Sequence, residues 1–256
     1  VEWFHNFDWK VVFPERQMYI MRQHNWAFAA WEIERLKGNL RQQSLLVHVD
    51  AHLDDTPDGV FVPGLLEAKS VEQIMAVAQG HDYASGQACP PDCMQIDNFI
   101  WASVARDTIG ETIFVSHQDD EVLSLEMLRY DAIHKRNENC QNIITKLPAG
   151  CTYTHQRFRD VLSFLSDVDQ KKWDTQQTKI LDIDLDYFNL SEDVTPRLQP
   201  IEEIRASLHT LRNLCQWDVI TIALSPEYCG GEEEAAFLLG AFMEAFEIDI
   251  ACGQRW

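Results

Sequence analysis

The chain has 256 residues, 46% of them hydrophobic, and no run approaching the roughly 18 apolar residues that a membrane span needs. Its 21 basic and 41 acidic residues leave a formal charge of −20, which repels nucleic-acid backbones and anionic membranes and favours a cationic ligand. Seven cysteines, scattered from Cys89 to Cys252, make no disulfide framework and fit a reducing cytoplasm.

At this length one domain spanning residues 1–256 is the default, and no signal peptide is visible in a chain whose first residue is Val1. In chain order, the aromatic residues Trp3, Phe4, Phe7 and Trp9 are read as core or subunit packing. A helix is predicted over Asn25–Leu36, stopped at Gly38, then a buried strand over Leu45–Val49. Ser70-Val-Glu-Gln73 reads as a capping box opening a helix over Ser70–Gln79, with Gly80 as its stop. Cys89-Pro-Pro-Asp-Cys93 is a proline-rich loop with incidental thiols, or else one disulfide or a metal clip. A helix over Asn98–Arg106, strands over Thr112–Val115 and Asn142–Thr145, and a helix over Gln156–Leu165 follow. The remainder reads as strand Ile180–Leu185, loop Asp193–Pro200, helix Ile201–Leu214, strand Val219–Leu224 and helix Glu232–Phe246. This alternation predicts an α/β fold: a three-layer α/β/α sandwich around a mainly parallel central sheet. Ligands in such sheets collect outside the carboxyl ends of the strands.

Two predicted strands end in tightly spaced charge. Leu45-Leu-Val-His-Val-Asp-Ala-His-Leu-Asp-Asp55 and Ile180-Leu-Asp-Ile-Asp-Leu-Asp-Tyr-Phe188 both run from apolar residues into carboxylates. Burying such groups without a counter-charge is costly, and a pair of divalent cations is the simplest neutraliser. Residues two apart on a strand share a face, so His48, Asp50, His52 and Asp54 would converge with Asp182, Asp184 and Asp186 if the strands run on. Mixed carboxylate and imidazole donors suit Mn(II), with Fe(II), Co(II) and Zn(II) as alternatives. A solvated strand end or a structural cation site is the plainer reading of either motif alone.

These residues resemble the ureohydrolase family of arginases, agmatinases and their relatives. Asp50-Ala-His-Leu-Asp54 is similar to the family's Asp-Ala-His-x-Asp signature and Asp184-Leu-Asp186 to its second Asp-x-Asp. The resemblance implies a dinuclear manganese site whose bridging hydroxide attacks a guanidinium carbon. It also implies a helix-start histidine ligand, matched here by His24, 26 residues before Asp50. The implied ligand sets are His24, Asp50, Asp54 and Asp184 for one ion, and Asp50, His52, Asp184 and Asp186 for the other. Asp182 would orient a ligand, with His48 competing for that role and Asp55 competing with Asp54.

Glu227, just past the strand Val219–Leu224, matches the family's guanidinium-binding glutamate; capping the helix near Glu232 is its plainer role. The loop Thr56-Pro-Asp-Gly-Val-Phe-Val-Pro-Gly64 lacks the family's Asn and His that contact a free amino acid. A proton shuttle must then come from elsewhere, with His117 the first candidate and His81 and His155 behind it. Ile96-Asp-Asn-Phe-Ile-Trp101 and Ser225-Pro-Glu-Tyr-Cys-Gly-Gly231 bring the pattern closest to a divergent branch that includes peptide arginases of ribosomal natural-product pathways. Those convert arginine residues of a precursor peptide to ornithine and urea. The resemblance spans His24 to Gly231, and its specific part is the metal signatures. It implies a cationic, arginine-containing peptide as partner, with no nucleic acid or membrane, and leaves a homo-oligomer open. Hydrolysis of free arginine or agmatine-like guanidines, acyl-lysine or polyamine deacetylation, and a purely structural metal site are the alternatives.

Overall fold

The computed structural model describes residues 5–81, 87–90, 92–168, 173, 177–191 and 195–256. Trp3, Phe4 and part of the loop Asp193–Pro200 lie outside them. Eight strands are described: β1 Lys10–Phe13, β2 Met18–Met21, β3 Ser44–Val49, β4 Ile109–Val115, β5 Thr154–Phe158, β6 Lys179–Asp184, β7 Val219–Ala223 and β8 Gln254–Arg255. They form one sheet in the order β5-β4-β3-β6-β7-β2-β1-β8. From β5 through β2 every neighbour is parallel, and β1 and β8 add antiparallel to the far side.

The buried strands are apolar on both faces, as a sheet covered twice requires. Leu46 and Ile180 belong to one apolar cluster, and their neighbours Leu45, Val47 and Leu181 belong to the other. Helices α1 (Trp26–Lys37), α2 (Val71–Ala78), α3 (Phe99–Ala105), α4 (Leu125–His134) and α5 (Glu138–Lys146) supply side chains to the first cluster. Helices α6 (Val161–Asp167), α7 (Ile201–Asn213) and α9 (Glu232–Phe246) supply the second, and the single turn α8 (Pro226–Cys229) joins β7 to α9. This is the expected α/β sandwich. Among the described residues, no helix is long and apolar enough to cross a membrane.

Helix α1 is buried through its first nine residues, and Gly38 at φ +84° closes it by returning its N–H to Glu34 and Arg35. Ser70 caps α2 by accepting from the Gln73 backbone at 3.3 Å, while the Gln73 side chain reaches Lys69 rather than Ser70. The expected box is therefore half formed.

Two expectations fail. Asn142–Thr145 is not a strand but lies within α5, because Cys140, Ile143 and Leu147 recur at helical spacing and bury together, and Asn137 caps the helix start. Gln156–Leu165 is not one helix. Its first part completes β5, an edge strand paired to β4, and Asp160 with Ser163 then forms a capping box that opens α6.

The chain continues from β3 to β4 on one side and from β6 to β7 on the other, so the strand order reverses between the adjacent strands β3 and β6. A crevice outside their carboxyl ends is where such a sheet holds its ligand.

Candidate metal centre

Both charged motifs sit at that reversal. His48 on β3 lies opposite Asp182 on β6 in parallel register. The strand geometry does not persist, however. Strand β3 stops at Val49, and Asp54 turns back in the left-handed region at φ +48°. A non-glycine residue there is uncommon and has to be held by its surroundings. Asp186 likewise lies within a 3-10 turn over Leu185–Phe188, its own N–H donating to Asp184 Oδ1 at 3.2 Å. Turns, not extended strand, bring the outer ligands inward.

His24 Nδ1 stands 3.2 Å from Asp50 Oδ2, 3.1 Å from Asp54 Oδ2 and 3.1 Å from Asp184 Oδ2. Donors ~2.1 Å from one cation and at right angles to each other stand about 3 Å apart. A second group gathers around His52, whose Nδ1 is 3.1 Å from Asp186 Oδ2 and 3.4 Å from Asp50 Oδ1. Asp50 thus gives one oxygen to each group. Asp184 joins the first group but not the second, whose members are Asp50, His52 and Asp186. His24 Nδ1, His48 Nε2, Asp50 Oδ2 and Asp186 Oδ2 are buried without a hydrogen-bond partner. Buried polar atoms are rarely left so, and here they converge on the same small volume. The residues therefore fit divalent cations, with Asp50 common to two donor groups and donors suited to Mn(II), Fe(II), Co(II) or Zn(II).

Asp182 organises the imidazoles. Its Oδ2 meets His24 Nε2 at 2.9 Å and His48 Nδ1 at 2.8 Å, and its Oδ1 accepts from Thr221 at 2.5 Å. Thr221 in turn accepts from the Trp31 indole at 3.1 Å. With those nitrogens carrying hydrogens, His24 Nδ1 and His48 Nε2 are left as lone-pair donors facing the carboxylates. Ser225, itself left-handed at φ +39°, donates to Asp184 Oδ2 at 2.5 Å.

The protonation pattern shows a cluster short of positive charge. Burial disfavours a charged His24, yet Asp182, Asp184 and Asp50 raise it well above the usual imidazole value. His52 is pushed up to about 12 by its pairing with Asp186 and Asp50. Against burial, Asp182 is held down to about 2 by His24 and His48. Asp54 is pushed up to about 7 by burial and the charge of Asp50, and Asp186 rises well above its ordinary value through burial, Asp184 and Asp50. Five aspartates share three histidines here. In the absence of metal, protons must do part of the neutralising.

The centre opens into a cavity of about 790 Å³, lined among others by Phe7, His81, Met94, Asp97, Gln118 and Tyr228. His24, Asp50, His52, Asp54, Asp184, Asp186 and Glu227 all line it, but His117 and His155 do not. His117 instead stacks on Tyr187 at 4.5 Å, and burial lowers its basicity. The carboxylate of Glu227 is half-exposed and receives Arg22 Nη2 at 2.8 Å; Arg22 Nη1 lies 2.8 Å from Glu232. Sequence reasoning missed Arg22 and Tyr228, which sets its ring edge-on to His52 at 5.3 Å. Their only signal was adjacency to His24 and Glu227.

No protein-family model and no curated protein matches the chain. Among solved structures, the arginase from Bacillus cereus is 12% identical, covering 91% of this chain and 71% of its own at a TM-score of 0.39. The arginase from Bacillus subtilis is 13% identical, covering 88% and 71% at a TM-score of 0.32. Likenesses this loose assign neither activity nor ligands.

Proposed function

We propose that this chain is a dinuclear metal-dependent hydrolase that converts arginine residues of a peptide to ornithine and releases urea. The observation that supports the hydrolase is the pair of ligand groups sharing Asp50 at the floor of an open cavity. Bound there, two divalent ions, Mn(II) by preference, would supply Lewis acidity and lower the pKa of a water. His24, Asp50, Asp54 and Asp184 would hold one, and Asp50, His52 and Asp186 the other. Asp182 fixes the imidazole tautomers from behind.

Glu227 would accept the substrate guanidinium in a charge-assisted pair through the oxygen that Arg22 leaves open. Water adds to the guanidinium carbon, the bond from that carbon to the side-chain nitrogen breaks, and the departing amine takes a proton. His81, an imidazole on the cavity wall, would move that proton. Arg22 supports the peptide substrate. Among the described residues it is the cavity's sole Arg or Lys, and two carboxylates already hold it. A free amino acid's α-carboxylate would find no lysine or arginine to pair with, whereas an amide-linked arginine needs none.

The test is mass spectrometry and urea assay of Mn(II)-loaded protein with an arginine peptide and, separately, free arginine. A loss of about 42 Da per arginine, the mass of the urea released less that of the water added, from the peptide alone supports the reading. Turnover of free arginine overturns the peptide assignment. Release of an acyl group from acyl-lysine instead, with no urea, overturns the guanidine chemistry.

A further inference from the structure

The mechanism leaves the Cys89-Pro-Pro-Asp-Cys93 loop unused. Its two sulfurs lie 3.3 Å apart in a thiol–thiol hydrogen-bond contact, and Asp92 between them turns back at φ +57°. Both thiols are half-buried, so a small reagent reaches them, and all seven cysteines are thiols in this structure.

The loop is tied to the cavity wall. The Cys93 carbonyl accepts from Asn98 Nδ2 at 3.3 Å, which also donates to Asp58 at 2.9 Å, while Asn98 Oδ1 accepts from Gln95 N at 2.9 Å. The next residue, Met94, bridges to Gly80, and residues 94–97 line the cavity. Asp97 takes both the backbone N–H and the hydroxyl of Thr56, at 3.0 and 3.1 Å, two residues beyond Asp54. A covalent change at the thiols is therefore one short chain of bonds from the metal centre.

We infer that Cys89 and Cys93 are a reversible oxidation site, forming a disulfide that stiffens the cavity wall over residues 93–97. The oxidant is a low-molecular-weight disulfide of the glutathione type. Burial and Cys89 push the Cys93 thiol up to about 11, so Cys93 is seldom a thiolate near neutrality and the first attack falls to Cys89. The Cys89 thiolate displaces one glutathione thiolate and forms a mixed disulfide. Cys93, losing its proton, then attacks the Cys89 sulfur and expels the second glutathione. Two protein thiols are oxidised, and one glutathione disulfide is reduced to two glutathiones. Disulfides in cytosolic proteins are usually of this transient kind.

The test needs no turnover, so it stands apart from the proposed hydrolase activity. The protein is equilibrated with excess glutathione disulfide, acid-quenched, alkylated and digested with trypsin. Residues 70–106, bounded by Lys69 and Arg106, form one peptide whose two cysteines are Cys89 and Cys93. It should be unalkylated, about 2 Da lighter than the dithiol, and restored by dithiothreitol. Backbone amides of residues 93–97 should exchange hydrogen several-fold more slowly in the oxidised protein, and Cys93→Ser with the same oxidant should show no slowing. A peptide that remains doubly alkylatable, or that carries two glutathiones, overturns the inference. So does equal exchange in oxidised and reduced wild type, a comparison that does not depend on the variant folding.

Discussion

Arg22 Nη2 donates to Glu227 Oε1 at 2.8 Å, so the carboxylate assigned to the substrate's guanidinium is already anchored by a guanidinium of the protein itself. Glu232 neutralises Arg22 from its other side, leaving the three-residue set with one net negative charge. The half-exposed Glu227 side chain is thereby restricted in rotation without being shut off from the cavity. Arg22→Met should release it. The expected result is a KM for an arginine peptide about tenfold higher, with kcat within about threefold, because binding is lost more than transition-state stabilisation. Steady-state kinetics would show this split, and an equal fall in kcat would contradict it.

Removing the charge behind the imidazoles should weaken the metal site. Asp182→Asn keeps the volume but loses the anion that holds both His24 and His48. Residues that orient metal ligands typically contribute 10–100-fold in affinity, and a fall of about that size is expected in Mn(II) titration calorimetry. Unchanged affinity would mean that the histidines hold their orientation without Asp182.

Metal-free protein should lose stability as pH rises from about 4 to about 7. Asp54, pushed up to about 7, and Asp186, raised well above its usual value, bind more protons folded than unfolded across that range. Stability falls with pH wherever the native state binds the more protons, so ionising these groups disfavours the apo fold. Divalent ions compete with the same protons, and their stabilisation should therefore be larger at pH 7.5 than at pH 5.5. Melting curves with Mn(II) and with chelator at both pH values test the sign. A greater metal-induced rise in Tm at the lower pH would refute it.

The two imidazoles proposed for proton transfer should separate cleanly. His81 lines the cavity, whereas His117 is stacked on Tyr187 outside it. General acid or base groups contribute about 10²–10⁴-fold, so His81→Asn should lower kcat by at least the smaller factor. His117→Asn should leave kcat near the wild-type value. The reverse result would relocate the shuttle.

What was legible in the sequence follows from how each element is buried. Strands β3, β6 and β7 are covered on both faces, and their mainly apolar runs, leading into Asp50 after β3 and ending at Asp184 in β6, are legible for that reason. Strand β5 is an edge strand of sequence Thr-His-Gln-Arg-Phe, too polar to signal itself, and its end was absorbed into the helix that follows. The Ile-Ile pair in α5 favoured a strand locally, but the spacing of its buried side chains decided the outcome. Extended-strand spacing puts Asp54 on the face of Asp50, but Asp54 reaches the cluster through a left-handed turn instead. Arg22 had no motif. Its role depends on partners 205 and 210 residues away.

The sheet's two outer margins bear on how the molecule behaves in a crowd. One is β5, with its polar side chains, and the other is β8, just the two polar residues Gln254 and Arg255. A long, apolar margin would offer its unused backbone groups to any extended segment that drifted past. Such segments are the substrates proposed for this chain. With polar or truncated borders, a visiting peptide is steered away from annealing along the sheet and toward the acidic mouth above β3 and β6.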